Sequence, residues 1–277
     1  MSLLANKRIG SNLKHFIAYA KKEIVGVTTG IDFFDKKLLG LRGLVGILGE
    51  PKACKSTLLL QIAAYNAQLG NPVYIIDREN GIARITQRLL CYYAQASWFR
   101  IQKLEREKLE GWLTRLATLP IYVDVDNLTF PELQDIVDEL VQTYPGKSAL
   151  LMIDSLQAMP VNYDNLRSSI DEWLVNLDSL KLRHEGKLTI IMTVEKRRGT
   201  YQNAAKDSGK ESGRIEYKLE QQYDMWYDAK KSCIIVECTL NRDGPSNVRV
   251  ELDQVLEDPS NPSSFIFKLK DRKELDI

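Results

Sequence analysis

The sequence has no apolar run of about eighteen residues, the length a helix needs to cross a bilayer. Its first residues, Met1 to Arg8, do not read as a signal peptide either. Cysteine is scarce: Cys54, Cys91, Cys233 and Cys238 include no Cys-x-x-Cys pair, and the two histidines, His15 and His184, are far apart. Neither a disulfide scaffold nor a zinc site has the spacing it needs. These absences predict a reducing, cytoplasmic location with no membrane partner. An excess of one charge is missing too, since 38 Lys and Arg face 37 Asp and Glu for a net charge of +1. No global field draws the chain to nucleic acid, so such a partner has to be met by a local patch. There is no internal repeat and no sign of a second large domain. With 44% hydrophobic residues over 277 positions, the chain is long enough for one large α/β domain with a full core, or for two small ones.

The informative stretch is 44–60. An apolar run, Leu44 to Leu48, stops at Gly49; Glu50-Pro51-Lys52-Ala53-Cys54 forms a turn; Lys55-Ser56-Thr57 opens an apolar helical pattern. This fits the phosphate-loop pattern G-x-x-x-x-G-K-[ST] except that Cys54 stands where the second glycine belongs. Such a loop aims backbone N–H groups and a positive helix end at one point, and a triphosphate is the natural occupant. Residues 49–57 are therefore the candidate nucleotide cradle, with Lys55 reaching the terminal phosphates and the Ser56 hydroxyl a Mg²⁺ ligand. A side chain at position 54 is expected to cost about 1–2 kcal/mol of backbone strain, which threatens turnover more than binding. The plainer alternative is an ordinary strand-turn-helix with a lysine at its start.

Strands and helices then alternate. A short helix is predicted over 10–24, with Leu13, Phe16, Ile17 and Ala20 on one face, as a segment separate from a domain spanning 25–277. Helix 56–69 ends at Gly70-Asn71-Pro72. The apolar strand 73–76 delivers Asp77-Arg78-Glu79, and helices follow over 82–94 and 98–116. Strand 121–125 precedes a helix from Thr129, with Pro131 in its first turn. The apolar strand 149–153 ends in Asp154, a carboxylate placed to hold Mg²⁺ or its waters beside the phosphate loop. A helix over 164–184 leads to strand 188–193. Residues 195–214 are polar, basic and without periodicity, too long for an idle loop. The tail reads as antiparallel strands over 223–227, 232–240, 248–252 and 264–269. The expected fold is thus α/β, with a central, mostly parallel sheet, helices on both faces and antiparallel C-terminal strands.

Four segments together resemble the RecA-fold P-loop ATPases, in particular the branch of RadA/Sms and the DnaB-type replicative helicases. They are Val27-Thr28-Thr29-Gly30-Ile31-Asp32-Phe33-Phe34-Asp35, Gly49 through Gln61, Leu151-Met152-Ile153-Asp154-Ser155-Leu156-Gln157, and Asn241-Arg242-Asp243-Gly244-Pro245-Ser246-Asn247. The likeness covers roughly 25–255, the ATPase core alone. It implies that Glu79 orients the attacking water, with Asp77 the substitute if the register slips. It implies that Arg242 reaches the nucleotide of a neighbouring subunit; Leu240 replaces the lysine that usually accompanies it. The Gln or His that senses the γ-phosphate after strand 188–193 is missing from Thr193-Val194-Glu195, where Thr193 is the one residue able to stand in for it. The loop that follows matches the DNA-facing loop, with Lys196, Arg197, Arg198, Lys206, Lys210 and Arg214 along a backbone and Tyr201 able to stack on a base.

The resemblance therefore implies a DNA-dependent ATPase using ATP and Mg²⁺, a helicase, translocase or recombination motor on single-stranded DNA. It further implies a homo-oligomer, a hexameric ring, working with replication or recombination proteins. The alternative is a nucleotide-gated assembly or loader protein with weak or absent turnover.

Overall fold

The computed structural model describes residues 26–160, 166–196 and 217–272. The expected helix over 10–24 lies outside them. The elements are β1 (Leu44–Gly49), α1 (Lys55–Gln68), β2 (Val73–Asp77), α2 (Gly81–Ala94), α3 (Trp98–Ile101), α4 (Arg106–Ala117), β3 (Ile121–Asp124), α5 (Phe130–Thr143), β4 (Ala149–Asp154), α6 (Leu166–Arg183), β5 (Leu188–Glu195), β6 (Gln221–Asp228), β7 (Cys233–Asn241), β8 (Val248–Leu256) and β9 (Phe265–Asp271). Nine strands form one sheet in the order β3-β2-β4-β5-β1-β6-β7-β8-β9.

Strands β1, β2 and β4 are buried at every position, as continuous apolar runs require when both faces are covered. Their period of two divides the core. Val45, Ile47, Val73, Ile75, Leu150 and Met152 face the layer of α1 and α2. Leu44, Leu48, Tyr74, Ile76, Leu151 and Ile153 face the layer of α5 and α6. Each fully buried Leu or Ile contributes about 1.5–3 kcal/mol, and these strands are rich in both. The centre of the sheet is thereby rigid, and its carboxyl edge is a firm platform for loops. The lead-in segment 27–35 is pinned by its own acid: buried Asp35 accepts hydrogen bonds from Thr29 N and Oγ1 and from Gly30 N.

One expectation needs correction. The helix expected over 98–116 is two helices, because Glu105, with φ −60° and ψ 147°, breaks it ahead of α4. The α4 helix buries no residue fully, which fits its charged sequence. The C-terminal strands are antiparallel to one another as expected, β6 to β7, β7 to β8 and β8 to β9, and β6 joins them to the rest of the sheet by running parallel to β1. At the helix beginning at α5, Thr129 and Glu132 form the reciprocal cap, and Pro131 stands in the first turn where no amide is missed. Among the described residues no helix is long and apolar enough to cross a membrane.

Candidate nucleotide-binding site

The phosphate loop leaves β1 at Gly49, which pairs with Met225 of β6. A Cβ there would lie 2.3 Å from the Met225 carbonyl oxygen, so only glycine lets the two strands close. Two non-glycine residues of the turn are left-handed, Lys52 at φ 70° and Cys54 at φ 65°, ψ 22°. The strain anticipated for Cys54 is therefore present. Its Sγ accepts a hydrogen bond from Gln254 Nε2 at 3.2 Å. Burial pushes the thiol up, so the group is neutral near pH 7.

No side chain caps the start of α1. Its first amides have no partner within the helix, and they are the donors a phosphate takes. Lys55 is buried, and its Nζ donates to the carbonyls of Gly49 at 3.0 Å and Glu50 at 2.9 Å. Burial pushes its ammonium down, while the carboxylates of Glu195, Asp154 and Glu79 oppose that shift. An ammonium held by neutral carbonyls among three acids is readily transferred to a polyanion.

Asp154 ends β4 in register with Asp77 of β2. Its Oδ1 accepts from Thr193 Oγ1 at 2.5 Å. Burial pushes its carboxyl above the usual carboxylate range, and hydrogen bonds from Ser56 and Thr193 oppose that. A buried acid destabilised this way, touching the first hydroxyl of α1, has the chemistry of a cation ligand. Among the described residues no three His, Cys, Asp or Glu side chains cluster to hold a metal alone. One carboxylate and one hydroxyl fit Mg²⁺, which keeps waters and takes its other ligands from phosphates.

Asp77 is buried and structural in its contacts. Its Oδ1 accepts from the backbone N–H groups of Glu79 and Asn80, both at 2.9 Å, and from Asn80 Nδ2. This turn presents Glu79, whose Oε1 accepts from Ser155 Oγ at 3.0 Å. Lys55, Ser56, Asp154 and Glu79 thus meet at the carboxyl edge of β1, β2 and β4.

Sequence reasoning did not single out three neighbours. Arg88, on the buried side of α2, lies 5.6 Å over the Phe267 ring, and Asp154 and Asp77 oppose the lowering that burial imposes on it. Its signal was a cation between Ile85 and Leu89 on an apolar helix face. Gln157 stood only as the last residue of the segment 151–157, and Gln254 gave no local signal.

Of two other predicted residues, Arg242 lies elsewhere, and Lys196, beside the loop, is already paired. Arg242 follows β7, whose end pairs with Gln221 at the start of β6, beside Val45. This is the edge opposite the phosphate loop of the same chain. Its Nε donates to Leu219 O at 2.8 Å and an Nη to Tyr217 O at 2.6 Å. Lys196 Nζ forms an ion pair with Asp224 at 2.7 Å, with both side chains largely buried. Arg197, Arg198, Lys206, Lys210, Arg214 and Tyr201 lie outside the described residues.

The sequence pattern described as "DnaB-like helicase C terminal domain" matches residues 26–225, most of the chain. The chain belongs to that family. This DnaB-like domain is similar in structure to the ATPase domain of G40P, with a TM-score of 0.80 and 18% identity over 97% of this chain and 99% of that one. A DnaB-like replicative helicase, solved in a study of its interactions with primase, matches at TM-score 0.76 and 19% identity over 90% of this chain and 66% of that one. The RadB recombinase matches at TM-score 0.58 and 17% identity over 89% and 100% of the two chains. At these identities the likeness establishes the RecA-like fold. Among curated proteins, none matches.

Proposed function

We propose that this DnaB-like domain binds and hydrolyses ATP at the carboxyl edge of its sheet and uses the cycle to move along single-stranded DNA, as a helicase or translocase. The observation that carries this is the meeting of Lys55, Ser56, Asp154 and Glu79 around an uncapped helix start. Lys55 exchanges two carbonyl oxygens for the β- and γ-phosphates, and the amides of α1 hold the same oxygens. Glu79, fixed by Ser155, orients a water in line with the γ-phosphorus and takes its proton. Ser56 and Asp154 would hold Mg²⁺, which offsets phosphate charge. Arg242 lies too far around the sheet to serve its own nucleotide, which supports a role toward the next subunit of a ring. There its guanidinium would leave the carbonyls of Leu219 and Tyr217 for the γ-phosphate.

The test is ATPase rate against protein concentration, with and without single-stranded DNA. Hydrolysis completed between subunits should rise more steeply than linearly with concentration and rise again with DNA; a linear, DNA-indifferent rate would remove the motor reading. A second reading, a loader that binds ATP without useful turnover, is favoured by the left-handed Cys54 and by Leu240, which packs into the apolar layer where a second cation was expected. Cys54→Gly relieves about 1–2 kcal/mol of strain. A large gain in turnover for that variant would favour the loader, and solid DNA-stimulated turnover by the native chain would eliminate it.

The DNA-facing role rests on Arg197, Arg198, Lys206, Lys210 and Arg214, with Lys196 engaged by Asp224. Neutralising Arg197, Arg198 and Lys210 together should weaken single-strand binding and flatten its log–log salt slope by about 2, at roughly 0.7 per phosphate contact. An unchanged slope would take the strand away from this segment.

A further inference from the structure

Glu195 closes β5 in register with Gly49 of β1. The Gly49 carbonyl accepts hydrogen bonds from Lys55 Nζ and from the backbone N–H of Lys196, each at 3.0 Å. The phosphate-loop lysine and the residue after Glu195 are therefore bound to one oxygen atom. Gln157 grips the Glu195 backbone on both sides, its Nε2 donating to Glu195 O at 3.1 Å and its Oε1 accepting from Glu195 N at 3.2 Å. The Glu195 side chain takes no part in these bonds and is exposed. Among the carboxylates acting on Lys55, its charge acts most strongly, ahead of Asp154 and Glu79.

We propose that Glu195 sets the preference of this site between nucleoside di- and triphosphates, by placing a fixed negative charge against the position of the terminal phosphate. The inference rests on the nucleotide reading above. Without nucleotide, the carboxylate shares the field of Lys55. A triphosphate takes over that ammonium and sets its own charge opposite Glu195, so attraction becomes repulsion. A diphosphate ends one group short and meets less of it. Displacement of the Glu195 side chain acts on the strand end held by Gln157 and on Lys196, whose ammonium is paired with Asp224. The site thus registers the third phosphate through its repulsion by Glu195, set against the attraction of Lys55.

Glu195→Gln keeps the size of the side chain and every backbone contact, and removes only the charge. Calorimetric titration of the full chain with ADP and with adenylyl imidodiphosphate, a non-hydrolysable triphosphate, both with Mg²⁺, reads the effect. Like charges several ångströms apart near a protein surface imply about tenfold tighter triphosphate binding in the variant, with a smaller change for ADP. The gain should shrink as salt is raised, and Glu195→Asp should keep the wild-type ratio. A triphosphate-to-diphosphate ratio unchanged in Glu195→Gln, or one that falls, overturns the proposal while leaving the nucleotide site intact. Wild-type protein that binds neither nucleotide overturns the site and this inference together.

Discussion

Replacing Lys55 with alanine should abolish the rise in melting temperature that ATP·Mg²⁺ gives the wild-type chain. The side chain is buried, and its ammonium interacts with Asp154, Glu79 and Glu195 at the loop. Its loss removes the contact to the terminal phosphates and leaves three acids facing an incoming polyanion without that charge between them. Affinity therefore falls by more than one hydrogen bond's worth. Ligand at a hundred times its dissociation constant stabilises by about 2.7 kcal/mol, and for a chain of this size that raises Tm by roughly 5–10 °C. In Lys55→Ala the shift should be close to zero. The variant without nucleotide should also melt slightly lower, because the carbonyls of Gly49 and Glu50 lose a donor worth about 1 kcal/mol each. A full nucleotide-dependent shift in the variant would mean that phosphates bind elsewhere.

Lys55 was legible in the sequence because its neighbours are local. Strand, turn and helix start lie within seventeen consecutive residues, and Gly49 and Lys55 keep their spacing whatever the rest of the chain does. Asp154 and Glu79 were legible for a similar reason. Asp154 ends a continuous apolar run and Glu79 lies two residues beyond the end of another, and a parallel sheet brings the carboxyl ends of such runs to one edge. The register Asp77 against Asp154 is the outcome of that rule.

What the sequence concealed depends on strand order. Glu195 gains its meaning from the insertion of β1 between β5 and β6, which sets it opposite Gly49. Gln254 reaches Cys54 across two hundred positions because β8 lies at the far side of the sheet with its end at the loop edge. Neither contact leaves a local pattern. The parallel pairing of β6 with β1 was not legible either, because nothing local to the first strand of the tail sets its direction. Lys196 looked like the first cation of a DNA-facing series, and only the fold brings Asp224 of β6 beside it. Helix propensity likewise carried across 102–105, where the backbone turns between α3 and α4.

Glu79→Gln should retain nucleotide binding and lose turnover by about 10²–10⁴-fold, the usual contribution of a positioned general base. The substitution keeps an oxygen that Ser155 Oγ can bond, so the turn and its aim survive. Only the ability to take a proton is removed. Single-turnover hydrolysis in the presence of DNA separates the effects, since a Tm shift with ATP·Mg²⁺ equal to wild type shows that binding is intact. Asp77 provides the internal comparison. Both of its oxygens are occupied by the amides of its own turn and by Asn80, leaving it poorly disposed to hold a water. Asp77→Asn replaces acceptors facing N–H groups by an amide, so its main cost should be stability. If Glu79→Gln hydrolyses ATP normally and Asp77→Asn folds but does not, the catalytic base is Asp77, and the bond from Ser155 serves only to close the turn.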